Sequence, residues 1–394
     1  MIRERTPHEP GSKGSRHCID EIAIALAAFT PKAEKIDNLV MSFAAISGHF
    51  AVHTGGARYS AKQPRRGRTM KRDPYTSARG LLPVLSVVLL SYFATPASAQ
   101  DKIKVAVGQI DAWANQVPTL GMKAGIFQKH GIVLENFGTQ GAGETLQAVI
   151  SGSADIGIGV GTPGALRVFA KGAPVRVLAA GYTGVEDIYW FVPANSLIKS
   201  VKDITDKHTI AYSTNGSTSD SVLRALIAHY DLKARPTQTG GPPGTFTMTM
   251  SGQIDVGWSV APFGLKDLQA NAIRVVMRGS DVPSMRNQTV RVEIVNANAL
   301  KNRRDVMARF VRAYRETLDW MYSNPLAVKY YSEQMQMPES LVELQRNEFN
   351  PKSALNPDKV SDIDLVMQDA IAGKFLEKPL TQEQLAEFIQ IPPR

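Results

Sequence analysis

From Asp101 onward, β-branched runs alternate with segments whose apolar residues recur at helical spacing. Ile103-Lys104-Val105-Ala106-Val107 reads as a strand, the stretch around 120–127 as a helix, and Ile132-Val133-Leu134 as the next strand. The alternation continues through 156–159, 175–180 and 208–212, with turn or helix signals between. Strands separated by helices imply βαβ units and a largely parallel sheet covered on both faces. So long a segment suits two cores better than one. The expected architecture is α/β and two-lobed, each lobe a mainly parallel sheet flanked by helices, with a cleft between the lobes.

An internal repeat points the same way. Gly141-Ala142-Gly143-Glu144-Thr145-Leu146 leads through Ile150-Ser151-Gly152 and Asp155-Ile156-Gly157 to Pro163. About one hundred positions later the order returns as Gly241, Thr245-Phe246, Met250-Ser251-Gly252, Asp255-Val256-Gly257 and Pro262. The strand-like runs 188–192 and 289–295 are the expected crossings between lobes and candidate hinges. The mature chain then divides into 100–188, the first part of lobe 1; 189–288, lobe 2; and 289–394, the return to lobe 1. In the last part Val306, Phe310, Tyr314, Leu318 and Met321 form one stripe of an amphipathic helix. Asn324-Pro325 reads as the cap and first-turn proline of the next. Helices are expected to run on to Ile389 and to pack on the first lobe.

The N-terminus has a different character. From Met70 the chain carries Lys71, Arg72 and Arg79, an apolar run over 81–93, then Ala97-Ser98-Ala99. A positive region, a short apolar region and a small-x-small site make 70–99 a signal peptide cleaved after Ala99. Residues 1–69 lack sustained periodicity and read as an extension upstream of the true start, or as a disordered leader. Arg65-Arg66 has no apolar run where a twin-arginine signal needs one.

Charge follows the same division. Residues 1–99 hold 14 Lys and Arg against 7 Asp and Glu, leaving about +2 of the overall +9 to the rest. The basic excess thus belongs mostly to the removed part, and a nucleic-acid partner loses its support. The only cysteine is Cys18. The mature chain therefore has no disulfide, no thiolate nucleophile and no cysteine for a lipid anchor, which fits free release into a periplasm.

Catalytic signatures are missing as well. His130, His208 and His229 lack metal spacing, no Gly-x-Ser-x-Gly elbow occurs, and no Walker loop is present. Gly157-Ile158-Gly159-Val160-Gly161 lacks the acidic partner that a dinucleotide site requires. No cofactor is expected.

The opening Lys104-Val105-Ala106-Val107, Trp113, Gly121-Met122-Lys123-Ala124-Gly125-Ile126-Phe127 and His130-Gly131-Ile132 resembles the nitrate, sulfonate and taurine type of ABC-transporter substrate-binding proteins. Ser151-Gly152-Ser153-Ala154-Asp155-Ile156-Gly157 matches that family's next motif. Trp258-Ser259-Val260-Ala261-Pro262 resembles its second-lobe turn, with Ala261 where an acidic residue is usual. The likeness runs from Asp101 to about Tyr322. It implies a periplasmic binding protein of type II, in the superfamily that includes the thiamine-pyrimidine synthases. The implied role is not enzymatic: a monomer captures a small organic, anionic ligand such as a sulfonate or carboxylate by cleft closure and delivers it to an inner-membrane permease with its ATPase. A ligand sensor for a membrane receptor is the alternative. A thiamine-pyrimidine-synthase-like enzyme is a further one, against which the signal peptide argues.

In such folds ligands sit beyond the carboxyl ends of strands, where helix N-termini face them. After the first strand comes Trp113, either a stacking surface or a residue of its own lobe's core. After the second come Gln140, Gly141 and Gly143, with Glu144 read as a first-turn helix residue. Gly161, Thr162 and Tyr182 complete the first rim. The second lobe offers Ser213, Asn215, Gly216, Ser217 and Thr218 at a helix start, able to hold an anionic head group or simply to cap the helix. Trp258 closes the set. No charged clamp is identifiable, and Arg286 and Arg291 read as solvated.

Overall fold

The computed structural model describes residues 100–394. The expected leader 1–69 and signal peptide 70–99 lie outside the described residues, Ala97-Ser98-Ala99 included. The chain opens with β1 (Asp101–Gly108), a short turn of helix at Trp113–Asn115, α1 (Val117–Lys123) and α2 (Ile126–Lys129). The single helix expected around 120–127 is thus two, because Gly125 takes φ +75, a left-handed conformation that ends one helix and starts the next. Then follow β2 (Ile132–Thr139), α3 (Ala142–Ile150), β3 (Ile156–Gly161), α4 (Thr162–Ala170) and β4 (Val175–Thr183). A second series comprises β5 (Ile188–Pro193), β6 (Thr209–Tyr212), α5 (Thr218–His229), β7 (Arg235–Gln238), α6 (Pro242–Met250), β8 (Gly257–Val260), α7 (Leu265–Gln269) and β9 (Ile273–Arg278). The chain returns through β10 (Thr289–Asn296) to α8 (Ala297–Asn302), α9 (Arg304–Ser323), α10 (Pro325–Met335), α11 (Glu339–Glu348), α12 (Ile363–Ala372) and α13 (Gln382–Phe388).

The first sheet has the order β2-β1-β3-β10-β4. In the second, β8-β5-β9 and β6-β7 are joined by a bridge from Ile210 to Val256, which gives the matching order β7-β6-β8-β5-β9. The parallel expectation holds for β1 with β2 and β3, and for β6 with β7. It fails for β5 and β10, each antiparallel to both neighbours, so the sheets are mixed. The cause is connectivity. The chain leaves the first sheet at the end of β4 and enters the second from the edge where its parallel strands end, so β5 must run against them. β10 does the same in reverse.

The repeat recurs in atomic detail. Thr139 and Thr145 share a hydroxyl hydrogen bond of 2.7 Å, and Thr239 and Thr245 one of 2.6 Å. Asp155 accepts the Lys104 N–H at 3.0 Å, as Asp255 accepts that of Thr209 at 2.8 Å. Each aspartate thereby ties the loop before its strand to the neighbouring strand.

The C-terminal helices cover the first sheet. The stripe Val306, Phe310, Tyr314, Leu318 and Met321 is buried, and α9 packs on α1 and α2. Asn324 caps α10 at the Leu326 N–H, with Pro325 in its first turn. Val366, Leu385 and Phe388 join Leu146, Phe169 and Val177 in one apolar cluster, and Gln390 donates to the Val177 carbonyl at 2.8 Å. Among the described residues, no helix is long and apolar enough to cross a membrane.

Candidate ligand-binding site

The second sheet presents a polar loop where β6 runs into α5. Ser217 caps α5, its Oγ accepting the Asp220 N–H at 3.2 Å. Ser219 Oγ accepts the Ser213 N–H at 2.9 Å and lies 2.9 and 3.0 Å from the Ser213 and Ser217 hydroxyls. Asp220 accepts the Gly216 N–H at 2.9 Å. These residues are buried yet hydrogen-bonded, as buried polar groups must be. Every rotatable hydroxyl here can turn from donor to acceptor, so the loop can re-pair with a guest.

The first sheet faces it with glycines. The Gly143 N–H donates to Thr214 Oγ1 at 3.0 Å. A methyl added to Gly143 would sit 2.9 Å from that oxygen, and one added to Gly161 would sit 2.8 Å from the Thr218 nitrogen. Gly141 packs against Ser213 and Thr214, and Gly164 against the Gly216 carbonyl. The walls are therefore in van der Waals contact. Thr162 is buried and donates to the Thr289 carbonyl at 2.7 Å, fastening the start of α4 to β10.

Charge enters from β10. Arg291 is buried, its Nη2 lies 2.6 Å from both carboxylate oxygens of Asp187, and its guanidinium stacks 4.3 Å over the Tyr182 ring. This corrects the reading of Arg291 as solvated, whereas Arg286 is exposed. Burial raises the Asp187 carboxyl above its ordinary range, and the neighbouring guanidinium opposes that shift. Two residues along, Glu293 accepts the Gly159 N–H at 2.7 Å and the Tyr314 hydroxyl at 2.9 Å. Its complete burial pushes the carboxyl up to about 7, against the pull of those donors and Arg291. Among the described residues, no group of His, Cys, Asp and Glu could hold a metal.

A small cavity remains where the walls meet, lined by Ser213, Ser217, Thr218, Ser219 and Trp258 from the second lobe's elements, and by Gln109, Asn115, Ala142, Gly159 and Arg291 from the first's. Its volume of about 20 Å³ admits little more than one water, so the cleft is closed. Of the residues singled out in sequence, Ser213, Ser217, Thr218 and Trp258 line it; Gly141, Gly143, Gly161 and Gly216 make the close approach around it. Thr162 and Tyr182 do not line it: Thr162 bonds the Thr289 carbonyl, and the Tyr182 ring stacks on the Arg291 guanidinium while its hydroxyl donates to the Phe349 carbonyl. Gln140 and Asn215 are exposed at the rim: the Gln140 carbonyl accepts from Gln109 at 3.0 Å, its N–H donates to Glu144 in the first turn of α3, and Asn215 accepts the Tyr212 hydroxyl at 2.7 Å. Trp113 is elsewhere. It is fully buried, edge-on to Tyr322 and Tyr331, with its Nε1 donating to Tyr322 at 3.1 Å, and is a core residue of its own lobe. Gln109, Asn115 and Gly159 belong to the loops 109–116 and 159–163, which sequence reading places at the strand ends without singling these residues out; it missed the Asp187–Arg291 pair. The available signal was the strand Thr289-Val290-Arg291-Val292-Glu293, whose alternate positions carry charge inside an otherwise apolar run.

Two mixed sheets of matching order, joined by two crossings and meeting at a polar closed cleft, define the class of two-lobed α/β binding proteins. Within that class the chain belongs to the NMT1/THI5-like family, whose model matches residues 119–327. The alkanesulfonate-binding protein SsuA from Xanthomonas axonopodis pv. citri, bound to MOPS, matches with a TM-score of 0.62 at 15% identity, over 75% of this chain and 100% of that one. The periplasmic aliphatic sulphonate binding protein SsuA from Escherichia coli matches with 0.57 at 17%, over 74% and 93%. The periplasmic nitrate-binding protein NrtA from Synechocystis PCC 6803 matches with 0.57 at 13%, over 73% and 85%. At these identities the likeness is one of fold, the periplasmic-binding-protein fold. No curated protein matches the chain in sequence.

Proposed function

We propose that this protein is the solute-binding component of an ABC importer, acting in the periplasm and delivering its ligand to a membrane permease. Lobe 1 comprises 100–188 with 289–394, and lobe 2 comprises 189–288. The observation that carries the reading is the closed cavity itself, walled by strand ends of both sheets and rich in hydroxyl and amide donors. The ligand enters an opened cleft and replaces the contacts that the walls make with each other. Closure is driven by the ligand's higher affinity for the closed form. Arg291 is already neutralised by Asp187, so an anionic head group is held mainly by the Ser217–Ser219 hydroxyls and the N–H groups at the start of α5. Trp258 offers the apolar surface for the rest of the molecule.

Binding is favoured over catalysis by the histidines. His130 pairs with Glu316 at 2.8 Å, His208 accepts the Thr205 N–H at 2.9 Å, and neither these nor His229 lines the cavity. Thermal-shift screening of the purified protein against sulfonates, carboxylates, pyrimidines and nitrate tests the reading. A ligand at one hundred times its Kd adds about 2.7 kcal/mol to stability, a shift of several degrees. No shift with any class, at concentrations up to the millimolar range, rejects it.

A further inference from the structure

A second and larger cavity, of about 440 Å³, lies further along α5 and shares no lining residue with the first. Its walls come from α5 through Ala225 and Ala228, from the return crossing through Met285, and from the C-terminal part of lobe 1 through Val366, Ala372 and Phe375. That volume falls in the range of small-molecule sites, and the walls are mostly apolar. Its carboxylate is already engaged by an amide. Asp369 receives the Gln288 amide at 2.6 Å, and Asp220, below the floor, receives Arg224 Nε at 2.8 Å. Arg224 spends only its Nε on Asp220, unlike Arg291, whose terminal Nη2 is held by a carboxylate; its terminal nitrogens and the ring of His229 make no hydrogen bond among the described residues and are exposed to solvent, while the Arg224 guanidinium sits 5.5 Å over the Phe375 ring.

We propose that this cavity is a second binding site, for a small amphipathic acid whose apolar or aromatic body lies on Met285, Val366 and Phe375 and whose carboxylate or sulfonate meets Arg224 and His229. Donors exposed to solvent beside mostly apolar walls suit a guest that is acidic at one end and apolar over the rest. The occupant touches α5 on one side and α12 on the other, so it bridges elements of both lobes. The assignment stands independently of what the cleft binds.

The test is a fluorescence titration of the full chain with 1-anilinonaphthalene-8-sulfonate, an aromatic body with one sulfonate. Saturable one-to-one binding is expected. Ala228→Trp fills the cavity from an exposed position and should weaken binding at least tenfold. Arg224→Met, which removes the charge, should do the same. Ala372→Trp fills the cavity from the opposite wall and guards against a folding failure of the first variant. Trp258→Phe, in the cleft, should change the affinity less than twofold. The proposal is overturned if no saturable binding occurs, if the cavity variants bind like the parent, or if Trp258→Phe abolishes binding and so places the dye in the cleft.

Discussion

Asp187 holds Arg291 by both carboxylate oxygens at 2.6 Å, and the two residues belong to opposite passages of the chain: one leaves the first sheet, the other lies on the strand that re-enters it. Both are buried. The pair therefore ties the outward crossing to the inward one at the edge of the cleft.

Removing one partner of a buried pair strands the other's charge, at a cost of about 3–5 kcal/mol. Asp187→Ala and Arg291→Ala should each lower stability by that amount in urea unfolding. The double replacement Asp187→Leu with Arg291→Met should cost less than either single change. Single variants within about 1 kcal/mol of the parent would refute this account.

Glu293 makes stability depend on pH. Its folded carboxyl titrates at about 7, above the ordinary 4.5, so the folded state binds this proton more tightly than the unfolded chain. The contribution is fully present below pH 4.5 and is lost as pH rises through 7. Relative to Glu293→Gln, the parent should lose on the order of 3 kcal/mol across that window. Parallel stability curves for the two proteins would contradict it.

The glycine approach at the cleft predicts a change of shape. A side chain at Gly161 would collide with the backbone of Thr218. Gly161→Val should therefore hold the lobes apart, read as an increased radius of gyration in small-angle X-ray scattering together with retained secondary structure. An unchanged radius would mean that the walls yield locally.

The two tryptophans should behave differently. Trp113→Phe, in the core of lobe 1, should lower the melting temperature yet leave the ligand-induced shift intact. Trp258→Phe should reduce that shift. A Trp113 variant with a normal melting point and a lost ligand response would return Trp113 to the binding surface.

Much of this was legible in the amino-acid pattern. Strand alternation, the Thr145 and Thr245 repeats and the stripe from Val306 to Met321 depend on local periodicity, which sequence displays directly. The Ser213–Thr218 loop was legible as a polar helix start, with capping and ligand contact both open, and Ser217 is the cap. Arg291 and Glu293 were not, because a charged residue in a strand looks solvated until its partners, Asp187 and Tyr314, arrive from distant segments. Trp113 misled for a related reason: its place after a strand end suits either role, and the choice was made by Tyr322 and Tyr331, more than two hundred residues away. The reversed direction of β5 and β10 likewise reflects how the chain is routed, which no local window contains.

That routing has a consequence for how the molecule comes into being. β10 is the strand that fits between β3 and β4, so a growing chain that has completed β4 holds a first sheet with an open seam. The seam closes only after the whole of the second sheet has been made and the chain has come back. Early lobe 1 is thus an unfinished product through most of synthesis, its edges unpaired and its most distant contacts formed last, the arrangement that folds slowly and stays open longest.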